Sequence, residues 1–418
     1  PGSETVKAWQ QTVYKKGWSA ASSFAGKIIY QIFPDRFYCS GSSKSNVPTD
    51  RFIRDDRSAV PEYRQNAGPC SLGNDYYGGD LAGIKEKLPY LASLGVSIIY
   101  LNPIFEAHSN HRYNTADYMK IDPLLGSEED FTALCDACHA RGMKVILDGV
   151  FSHVGSRSAY FQQAIHDPSS PYRGWFRFQH YPDVYDSWWG ITTLPCVDKM
   201  NPDFIRYMID DEDSVAVHWL KLGADGWRLD VVDELPDAFL ARLRARIRAY
   251  KPDALLIGEV WEDASNKIAY DQRRRYFTDR QLDSVMNYPL RDAILGFLNG
   301  GTAEHFAESM ECIRENYPRD VFYNLMNVVG THDTARALTL LGVTENEWKM
   351  DRNGRAHYQL PPDRLEIALR RLRMAAVIQF TMPGSPTIYY GDEAGQQGFE
   401  DPFNRRTYPW GHENQELL

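Results

Sequence analysis

Arg228 and Asp230 lie two residues apart near the end of an apolar, β-prone run, and their types and spacing suit chemistry. Side chains alternate along a strand, so an extended chain would aim these two residues to one face and Trp227 and Leu229 to the other. A neighbouring arginine lowers the pKa of an aspartate. We therefore expect Asp230 to be ionised at neutral pH and oriented by Arg228.

Further acidic residues stand at the ends of other apolar runs, near His153 and His332. They are Asp148, Glu259, Asp333, Asp392 and Glu393. Any one of them could simply cap a helix, but as a group they suit either metal binding or glycoside hydrolysis. The sequence has no H-E-x-x-H motif and no paired histidines with zinc-site spacing. Glycoside hydrolysis is therefore favoured, with one carboxyl as nucleophile or base and one as proton donor.

The elements that must position these residues alternate between strand and helix. Eight β-prone runs occur, at 27–33, 96–103, 143–150, 223–231, 254–260, 283–290, 327–333 and 385–393. Helical patterns lie between them, at 80–95, 127–142, 203–222, 236–250, 303–316 and 363–380, with a weaker one near 264–275. This alternation predicts a parallel sheet, either doubly wound or a (β/α)8 TIM barrel. Charged residues at nearly every carboxyl strand end favour the barrel.

One connection, 151–202, is long and rich in aromatic residues, which indicates a functional insertion. We interpret 153–202 as a small subdomain inserted after the third strand. Residues 26–152 and 203–418 would then form the catalytic barrel, and 1–25 an N-terminal lead. A last barrel helix is expected to begin near Asn414, but no helical pattern follows.

The composition indicates a large globular protein with an uncharged or cationic ligand. The chain has 418 residues, of which 43% are hydrophobic, and a net charge of −10, which disfavours a nucleic-acid partner. No run approaches the ~20 apolar residues of a membrane span. No signal peptide is visible, which slightly favours a cytoplasmic location. Six cysteines are too few for a disulfide scaffold, although a Cys39–Cys70 bridge is an option.

Four segments together resemble the four characteristic regions of the α-amylase family, glycoside hydrolase family 13. They are DGVFSH (148–153), GWRLDVVDE (226–234), GEVW (258–261) and GTHD (330–333). The resemblance is strongest to the branch of neopullulanases, cyclomaltodextrinases, maltogenic amylases and amylopullulanases. The C-terminal β-domain usual in that branch is expected to be absent or truncated.

The resemblance implies a role for each candidate residue. Asp230 would be the nucleophile, Glu259 the general acid and then the base, and Asp333 the residue that stabilises the transition state. Arg228 would orient Asp230. Substrate-binding roles are implied for His153, His332, Tyr113, His111, Trp261, Asp401 and Arg405. Core packing is the alternative for Trp261, and a surface ion pair is the alternative for Asp401 with Arg405.

The sequence departs from the family pattern at the usual site of a structural calcium. Ser152 stands where the family usually has asparagine, and Glu234 where calcium-dependent members often have histidine. The loop YCSGSSKSN (38–46) lacks the acidic pair that binds calcium in some relatives. We therefore expect no required cofactor and predict no metal ligands; a structural calcium stays open as an alternative, although its usual site looks incomplete.

The predicted activity is retaining hydrolysis of α-1,4-glucosidic bonds in starch-derived maltooligosaccharides, cyclodextrins or pullulan. The expected partners are α-glucan oligosaccharides, and the sequence does not indicate an oligomeric state. Two alternatives stay open: an α-glucan transglycosylase or isomerase with the same residues, and a non-catalytic amylase-like binding protein. The sequence does not rank the substrates or decide whether α-1,6 bonds are cleaved.

Overall fold

The computed structural model describes residues 10–14 and 24–418. Of the predicted N-terminal lead, residues 1–9 and 15–23 lie outside the described residues. The short described piece contacts the barrel through Gln10. Its amide nitrogen donates to the Ser265 hydroxyl over 2.7 Å, and its amide oxygen accepts from Asn266 over 2.8 Å.

Eight parallel strands form the centre of the fold. They are β1 (Ile29–Ile32), β2 (Ile98–Leu101), β3 (Lys144–Gly149), β4 (Gly226–Leu229), β5 (Leu255–Gly258), β6 (Ser284–Val285), β7 (Met326–Val328) and β8 (Ser385–Tyr389). They follow the order β6-β5-β4-β3-β2-β1-β8-β7. A parallel bridge between Met286 and Met326 joins the two edges. The predicted (β/α)8 barrel is therefore confirmed.

The strands are rich in isoleucine, leucine and valine because both faces of the sheet are covered. The barrel interior holds one apolar cluster, which includes Ile29, Ile98, Ile146, Leu255 and Met326. A larger cluster fills the layer between the outer face of the sheet and the helices. This packing fixes the carboxyl ends of the strands, where the candidate residues lie.

Helices surround the sheet between successive strands. The α-helices are Pro34–Phe37, Leu81–Glu86, Leu88–Ser93, Glu128–His139, Ala159–His166, Pro202–Ile205, Val215–Lys221, Asp237–Tyr250, Tyr288–Leu298, Ala303–Asn316, Arg319–Phe322, Ala337–Leu340, Glu345–Trp348, Arg352–His357 and Pro362–Thr381. A π-helical stretch, Arg206–Asp210, lies between two of them. Residues 390–418, all within the described chain, contain no α-helix.

Two predicted elements were wrong. The helix expected near 264–275 is a hairpin in which Ile268–Ala269 pairs with Gln272–Arg273. Its two turn residues, Tyr270 and Asp271, have φ of 54° and 57°, as a two-residue hairpin turn requires and a helix forbids. The run at 283–290 gives only the two residues of β6.

A helix begins directly after this short strand. The Asn287 side chain accepts from the Leu290 N–H over 3.2 Å, and a proline lies in the first turn. Both are helix-start signals that the apolar run concealed. The helix Tyr288–Leu298 was therefore not predicted.

The aromatic connection after β3 has its own small core. It contains the helix Ala159–His166 and a hairpin of Phe178–His180 with Val184–Tyr185. Phe161 and Trp175 are buried within it. The division of the chain into domains stays a prediction.

The cysteines and helices rule out two structural features. All six cysteines are free thiols, so the Cys39–Cys70 bridge considered from the sequence was wrong. Cys135 and Cys138 are buried in the helix Glu128–His139. Within residues 10–14 and 24–418, no helix combines the length and apolar character needed to span a membrane.

Candidate active site

The centre of the site is one buried arginine shared by three carboxylates. Arg228 Nη1 donates to Asp148 Oδ1 over 2.8 Å and to Asp230 Oδ1 over 2.9 Å. Its Nη2 lies 3.1 Å from Glu259 Oε2. Arg228 is fully buried, and the carboxylates come from the ends of β3, β4 and β5. The barrel thus brings the predicted nucleophile and the predicted acid to a single guanidinium.

The backbone after β4 fixes these two carboxylates. The Asp230 N–H donates to the Gly149 carbonyl over 3.1 Å, which extends the pairing of β4 with β3. Val231 then adopts φ 37°, a conformation that costs a β-branched residue energy. In this conformation its N–H donates to Glu259 Oε2 over 2.7 Å. The strained residue therefore holds the Glu259 carboxylate beside Asp230.

The pKa of Asp230 differs in direction from the sequence-based expectation. Burial, followed by repulsion from Glu259, raises this pKa well above its usual value, and Arg228 acts only in the opposite direction. The expectation of a lowered pKa was wrong because the sequence shows one arginine for one aspartate, whereas the fold shares Arg228 among three carboxylates. Interacting carboxyls titrate as a group, so this cluster holds on to a proton more strongly than isolated acids do.

A hydrogen-bonded chain supports the arginine from behind. The Tyr100 and Tyr113 hydroxyls donate to Asp148 Oδ2 over 2.6 Å and 2.8 Å. The Gln31 amide lies 2.8 Å from His332 Nδ1, which leaves the proton on Nε2, and this nitrogen contacts the Tyr113 hydroxyl. Asp148 thus orients Arg228 from within the barrel.

Asp333 lies at the opposite side of the same site. Its Oδ2 is 3.1 Å from His332 Nε2, and its Oδ1 is 3.6 Å from Arg405 Nη2. Burial and then repulsion from Glu259 raise the pKa of Asp333 to about 7, although Arg405 opposes them. Asp333, whose carboxyl changes its charge near neutral pH, therefore lies in the same site as Asp230 and Glu259.

These groups open into a cavity of about 670 Å³. Nine of the predicted site residues line it: Asp230, Glu259, Asp333, His153, Tyr113, His111, Trp261, Asp401 and Arg405. Arg228 and His332 do not line it, because they are 0% and 1% exposed and lie behind its wall. Direct contact of those two residues with a sugar stays a prediction.

The aromatic and imidazole rings of the cavity wall are stacked in series. Tyr113 stacks on His332 with ring centroids 5.2 Å apart, and His111 stacks on Tyr113 at 6.1 Å. Burial lowers the pKa of His111 and of His153 to about 4, so both rings are neutral at pH 7. His153 Nε2 already bonds the Tyr113 carbonyl over 3.0 Å. The wall therefore presents neutral rings, which suit an uncharged ligand.

Trp261 and the Asp401–Arg405 pair both line the cavity. Trp261 is 45% exposed, stacks on Tyr288 at 4.0 Å, and donates from Nε1 to Glu259 Oε1 over 3.1 Å. Arg405 Nη1 lies 2.9 Å from Asp401 Oδ1, and the arginine side chain is only 9% exposed. Neither simple core packing nor a simple surface ion pair describes them. Their contacts with substrate stay predictions.

Several residues of the site were missed in the sequence. Gln31, Tyr100 and Asn102 support the site from behind, and only their positions near strand ends could have indicated them. Trp188, Trp189, Ile268 and Tyr270 line the outer cavity. The two tryptophans belong to an aromatic run that the sequence shows, but the hairpin residues lie in a segment mistaken for a helix.

The residues at the family's usual calcium position do not fit a cation. The Ser152 hydroxyl is buried and hydrogen-bonds to His153 Nδ1 over 2.9 Å. Glu234 faces the cavity beside the Tyr270 hydroxyl. Within the described part of the chain, no three His, Cys, Asp or Glu side chains are grouped so that they could hold a metal. No step of the reaction is therefore assigned to a metal ion.

Comparison with known proteins identifies the family of the chain. Residues 31–416 match the family model described as "Alpha amylase, catalytic domain". The chain belongs to the alpha-amylase family. The resemblance of the four sequence regions is thereby confirmed, and the carboxylates of this alpha-amylase family member lie at the carboxyl end of the barrel.

Relatives in the same family cover nearly all of the chain. An amylopullulanase of Thermoanaerobacter thermohydrosulfuricus is 37% identical over 470 residues, which is 98% of this chain and 30% of that protein. Neopullulanase 2 of Thermoactinomyces vulgaris is 35% identical over 398 residues, or 93% of this chain and 60% of that protein. The chain thus spans about a third and about three-fifths of these relatives' lengths.

A solved structure has the same fold, and the match covers a larger share of that protein than of the two relatives above. The ligand-free cyclic alpha-maltosyl-(1→6)-maltose hydrolase from Arthrobacter globiformis superposes with a TM-score of 0.78 at 30% identity. The match covers 96% of this chain and 82% of that one. The fold is therefore shared with a solved structure over nearly the whole of this chain.

Proposed function

We propose that this protein hydrolyses α-1,4-glucosidic bonds of starch-derived oligosaccharides with retention of configuration. The observation that carries the proposal is the single buried Arg228 that binds both Asp230 and Glu259 at the base of a cavity. Retaining glycosidases need their two carboxyls about 5–5.5 Å apart, whereas inverting enzymes leave room for water between more distant ones. One guanidinium between two carboxylates favours the closer arrangement.

In the first step, an Asp230 oxygen attacks the anomeric carbon and the bond from that carbon to the leaving oxygen breaks. Glu259 gives its proton to the leaving oxygen. In the second step, Glu259 takes a proton from water, whose oxygen attacks the same carbon and releases Asp230. Two displacements restore the original configuration, and both carboxyls return to their starting state.

The surrounding residues supply orientation and charge. Arg228 keeps the attacking Asp230 oxygen in place and favours its ionised form against the raised pKa that burial produces. Asp333 would bind hydroxyls of the same sugar and stabilise positive charge at the anomeric carbon. Its place in the same cavity as Asp230 and Glu259 supports this role.

The expected substrates are maltooligosaccharides, cyclodextrins and pullulan. Relatives of the chain are named amylopullulanase, cyclomaltodextrinase, neopullulanase and maltogenic alpha-amylase. Neutral rings and exposed aromatic side chains line the cavity beside its charged residues, and these rings suit the apolar faces of an uncharged sugar chain. Product analysis on pullulan would divide the subclasses, because panose, maltotriose and no product each indicate a different cleavage preference.

The proposal is tested by following maltohexaose hydrolysis with NMR from the first turnover. We expect the α-anomer to form first, and a β-anomer formed first would contradict retention. Asp230→Asn should lower kcat by at least about 10⁴-fold, because the nucleophile is lost. Asp253→Asn, an exposed control on the far side of the barrel strands, should keep wild-type activity.

The same assay separates the alternatives. At high maltose, a transglycosylase would give mainly longer oligosaccharides, whereas a hydrolase would give glucose and maltose. A chain that binds maltohexaose but releases no product at any concentration would refute the enzymatic proposal. It would also support the amylase-like binding protein instead.

A further inference from the structure

A second cavity, of about 620 Å³, lies outside the active site. Two segments build most of its wall, one after β1 and one after β8; the residues are 38–39, 57–58, 359, 394–397, 406–410 and 412. Arg57, Arg406 and His412 are among them, but no aspartate or glutamate of the described chain lines this cavity. Because the whole chain has a net charge of −10, this local excess of basic side chains is unusual and suits an anionic ligand.

The two arginines of this wall are not paired with acids, unlike the buried arginines of the protein. Every buried arginine among the described residues has a carboxylate within ion-pair distance: Arg36, Arg112, Arg228, Arg274, Arg336 and Arg405. Within the same part of the chain, no carboxylate pairs with the half-buried Arg57 or Arg406. Buried charges are usually compensated because their desolvation is costly. The positive charge at this wall therefore lacks a compensating anion.

Arg406 shows the missing partner most directly. Arg405, the residue before it, lines the active-site cavity and has its Nη1 2.9 Å from Asp401. The Arg406 side chain bonds only the Ala356 carbonyl within the described chain, from Nη2 over 2.6 Å. Burial lowers the pKa of Arg406, and no carboxylate of the described residues opposes this shift. Two adjacent arginines thus line two different cavities, and only one of them is paired.

Both guanidinium groups have nitrogens that are free to bind a ligand. Arg57 Nη2 and Arg406 Nη1 make no hydrogen bond within the described residues, and neither atom is enclosed. The Thr407 hydroxyl donates to the Arg57 carbonyl over 2.6 Å and so ties the two segments together. The Gln397 amide oxygen accepts from the Leu360 N–H over 2.9 Å, which leaves its NH2 group as a further donor. Such donors suit a phosphoryl group, which has several strong acceptor oxygens.

Aromatic rings form another part of the same wall. Tyr38 and Trp410 lie edge to face with ring centroids 5.7 Å apart, and the Trp410 Nε1 donates to the Phe37 carbonyl over 2.8 Å. Lys87 Nζ lies 3.9 Å from the Tyr38 centroid and 4.2 Å from the Trp410 centroid, and it adds a third positive charge. Aromatic rings suit the apolar faces of a sugar, and the cavity has the volume of a small-molecule site rather than a single-ion site.

We propose that this cavity binds a sugar phosphate, with the phosphoryl oxygens on Arg57 and Arg406 and the sugar beside Tyr38 and Trp410. A planar guanidinium can donate to two phosphoryl oxygens at once, and the bound anion compensates the charge of both arginines. The proposal does not depend on the hydrolytic function, because this cavity and the active-site cavity have no lining residue in common.

Isothermal titration of the full chain with glucose 6-phosphate, inorganic phosphate and glucose tests the proposal. We expect one glucose 6-phosphate to bind per chain, at least about fivefold more tightly than inorganic phosphate, because the sugar adds contacts with the rings. Excess glucose, which lacks the phosphoryl group, should not displace it. Absence of saturable binding, or displacement by glucose, would overturn the proposal. Equal affinity for inorganic phosphate would refute the sugar contact.

Substitutions locate the binding in this cavity. Arg406→Gln and Arg57→Gln should each weaken glucose 6-phosphate binding at least about tenfold, whereas Arg406→Lys, which keeps a phosphate-binding charge, should weaken it less than about threefold. Arg141→Gln is the matched control, because Arg141 is exposed and also donates to a backbone carbonyl, and it should leave the affinity unchanged. Circular dichroism checks that each variant is folded. Unchanged affinity in a folded Arg406→Gln or Arg57→Gln variant would contradict the proposed site.

Discussion

The floor and the rim of the cavity are built on opposite principles. The floor, consisting of Asp230 and Glu259 with Arg228 and Asp148 directly behind them, is almost fully buried, and each of the three carboxylates contacts the same guanidinium. The rim, consisting of Trp189, Ile268 and Tyr270, is mostly exposed and apolar. The floor can hold carboxylates in fixed positions, whereas the rim exposes apolar side chains to solvent. The groups that we propose do the chemistry and the exposed side chains of the rim thus belong to separate parts of the site.

The strongest test of this separation removes the proton donor from the floor. Glu259→Gln keeps the shape of the side chain but carries no exchangeable carboxyl proton, so kcat should fall by about 10³-fold or more. The measurement is steady-state hydrolysis of maltohexaose. Glu366→Gln, on an exposed helix surface, should leave kcat unchanged. Loss of affinity with kcat preserved would place Glu259 among the binding residues instead.

A smaller loss is expected when the shared guanidinium is replaced. Arg228→Lys keeps the positive charge, but its single ammonium nitrogen cannot replace the two guanidinium nitrogens that contact the three carboxylates. We therefore expect kcat to fall about 10²-fold. Arg242→Lys changes an exposed pair with Asp210 and serves as the control. Circular dichroism should show a folded barrel in both variants. If Arg228→Lys retained full activity, the floor would not depend on the shared arginine.

The pH dependence of stability tests the electrostatics of the floor. Asp333 has a pKa of about 7 in the folded protein and about 3.9 in an unfolded chain, so its stabilising contribution is complete below pH ~4 and lost as pH rises through 7. Asp333→Asn removes this loss. Its gain over wild type in unfolding free energy should be about 1–2 kcal/mol larger at pH 8 than at pH 5, allowing for partial exposure of the carboxyl.

Urea denaturation at the two pH values provides the measurement. The Asp253→Asn control should show the same difference from wild type at both pH values, because the Lys144 ammonium lowers the pKa of that carboxyl, which is therefore ionised at both. A gain for Asp333→Asn that did not grow with pH would show that the fold does not raise the pKa of this carboxyl.

The smallest expected effect lies where floor and rim meet. Trp261→Phe keeps an aromatic ring on Tyr288 but removes the Nε1–H donor to Glu259, so kcat should fall about fivefold with little change in KM. Trp348→Phe, far from the cavity, is the matched control. A change confined to KM would make Trp261 a rim residue only and would sharpen the boundary between the two regions.

Much of the floor could be predicted from the sequence. Arg228 and Asp230 are two residues apart on a strand, and alternation alone aims them to one face. The ends of parallel strands meet at one edge of a barrel, so Glu259 and Asp333 could be placed near them. What the sequence could not show was how many carboxylates share one arginine, and this number decides the direction of the pKa shift of Asp230.

The rim was harder to predict for a different physical reason. Tyr270 and Asp271 adopt positive φ, which residue type alone does not indicate, so the hairpin was mistaken for a helix. The tryptophans were visible as an aromatic run, but most aromatic residues of such runs are buried, as Trp175 is. The exposure of Trp189 depends on the turn that closes around Trp188. This turn is held by specific contacts that the residues' local propensities do not indicate.

The identity of the nucleophile is the central claim and can be measured directly. A fluorinated α-maltosyl fluoride, whose ring fluorine slows the second step, would trap the glycosyl-enzyme for digestion and mass spectrometry. The account predicts a single maltosyl adduct on the peptide that contains Asp230, absent in Asp230→Asn. An adduct on Glu259 or Asp333 would contradict it, and so would hydrolysis of maltohexaose that gave the β-anomer first and left no adduct.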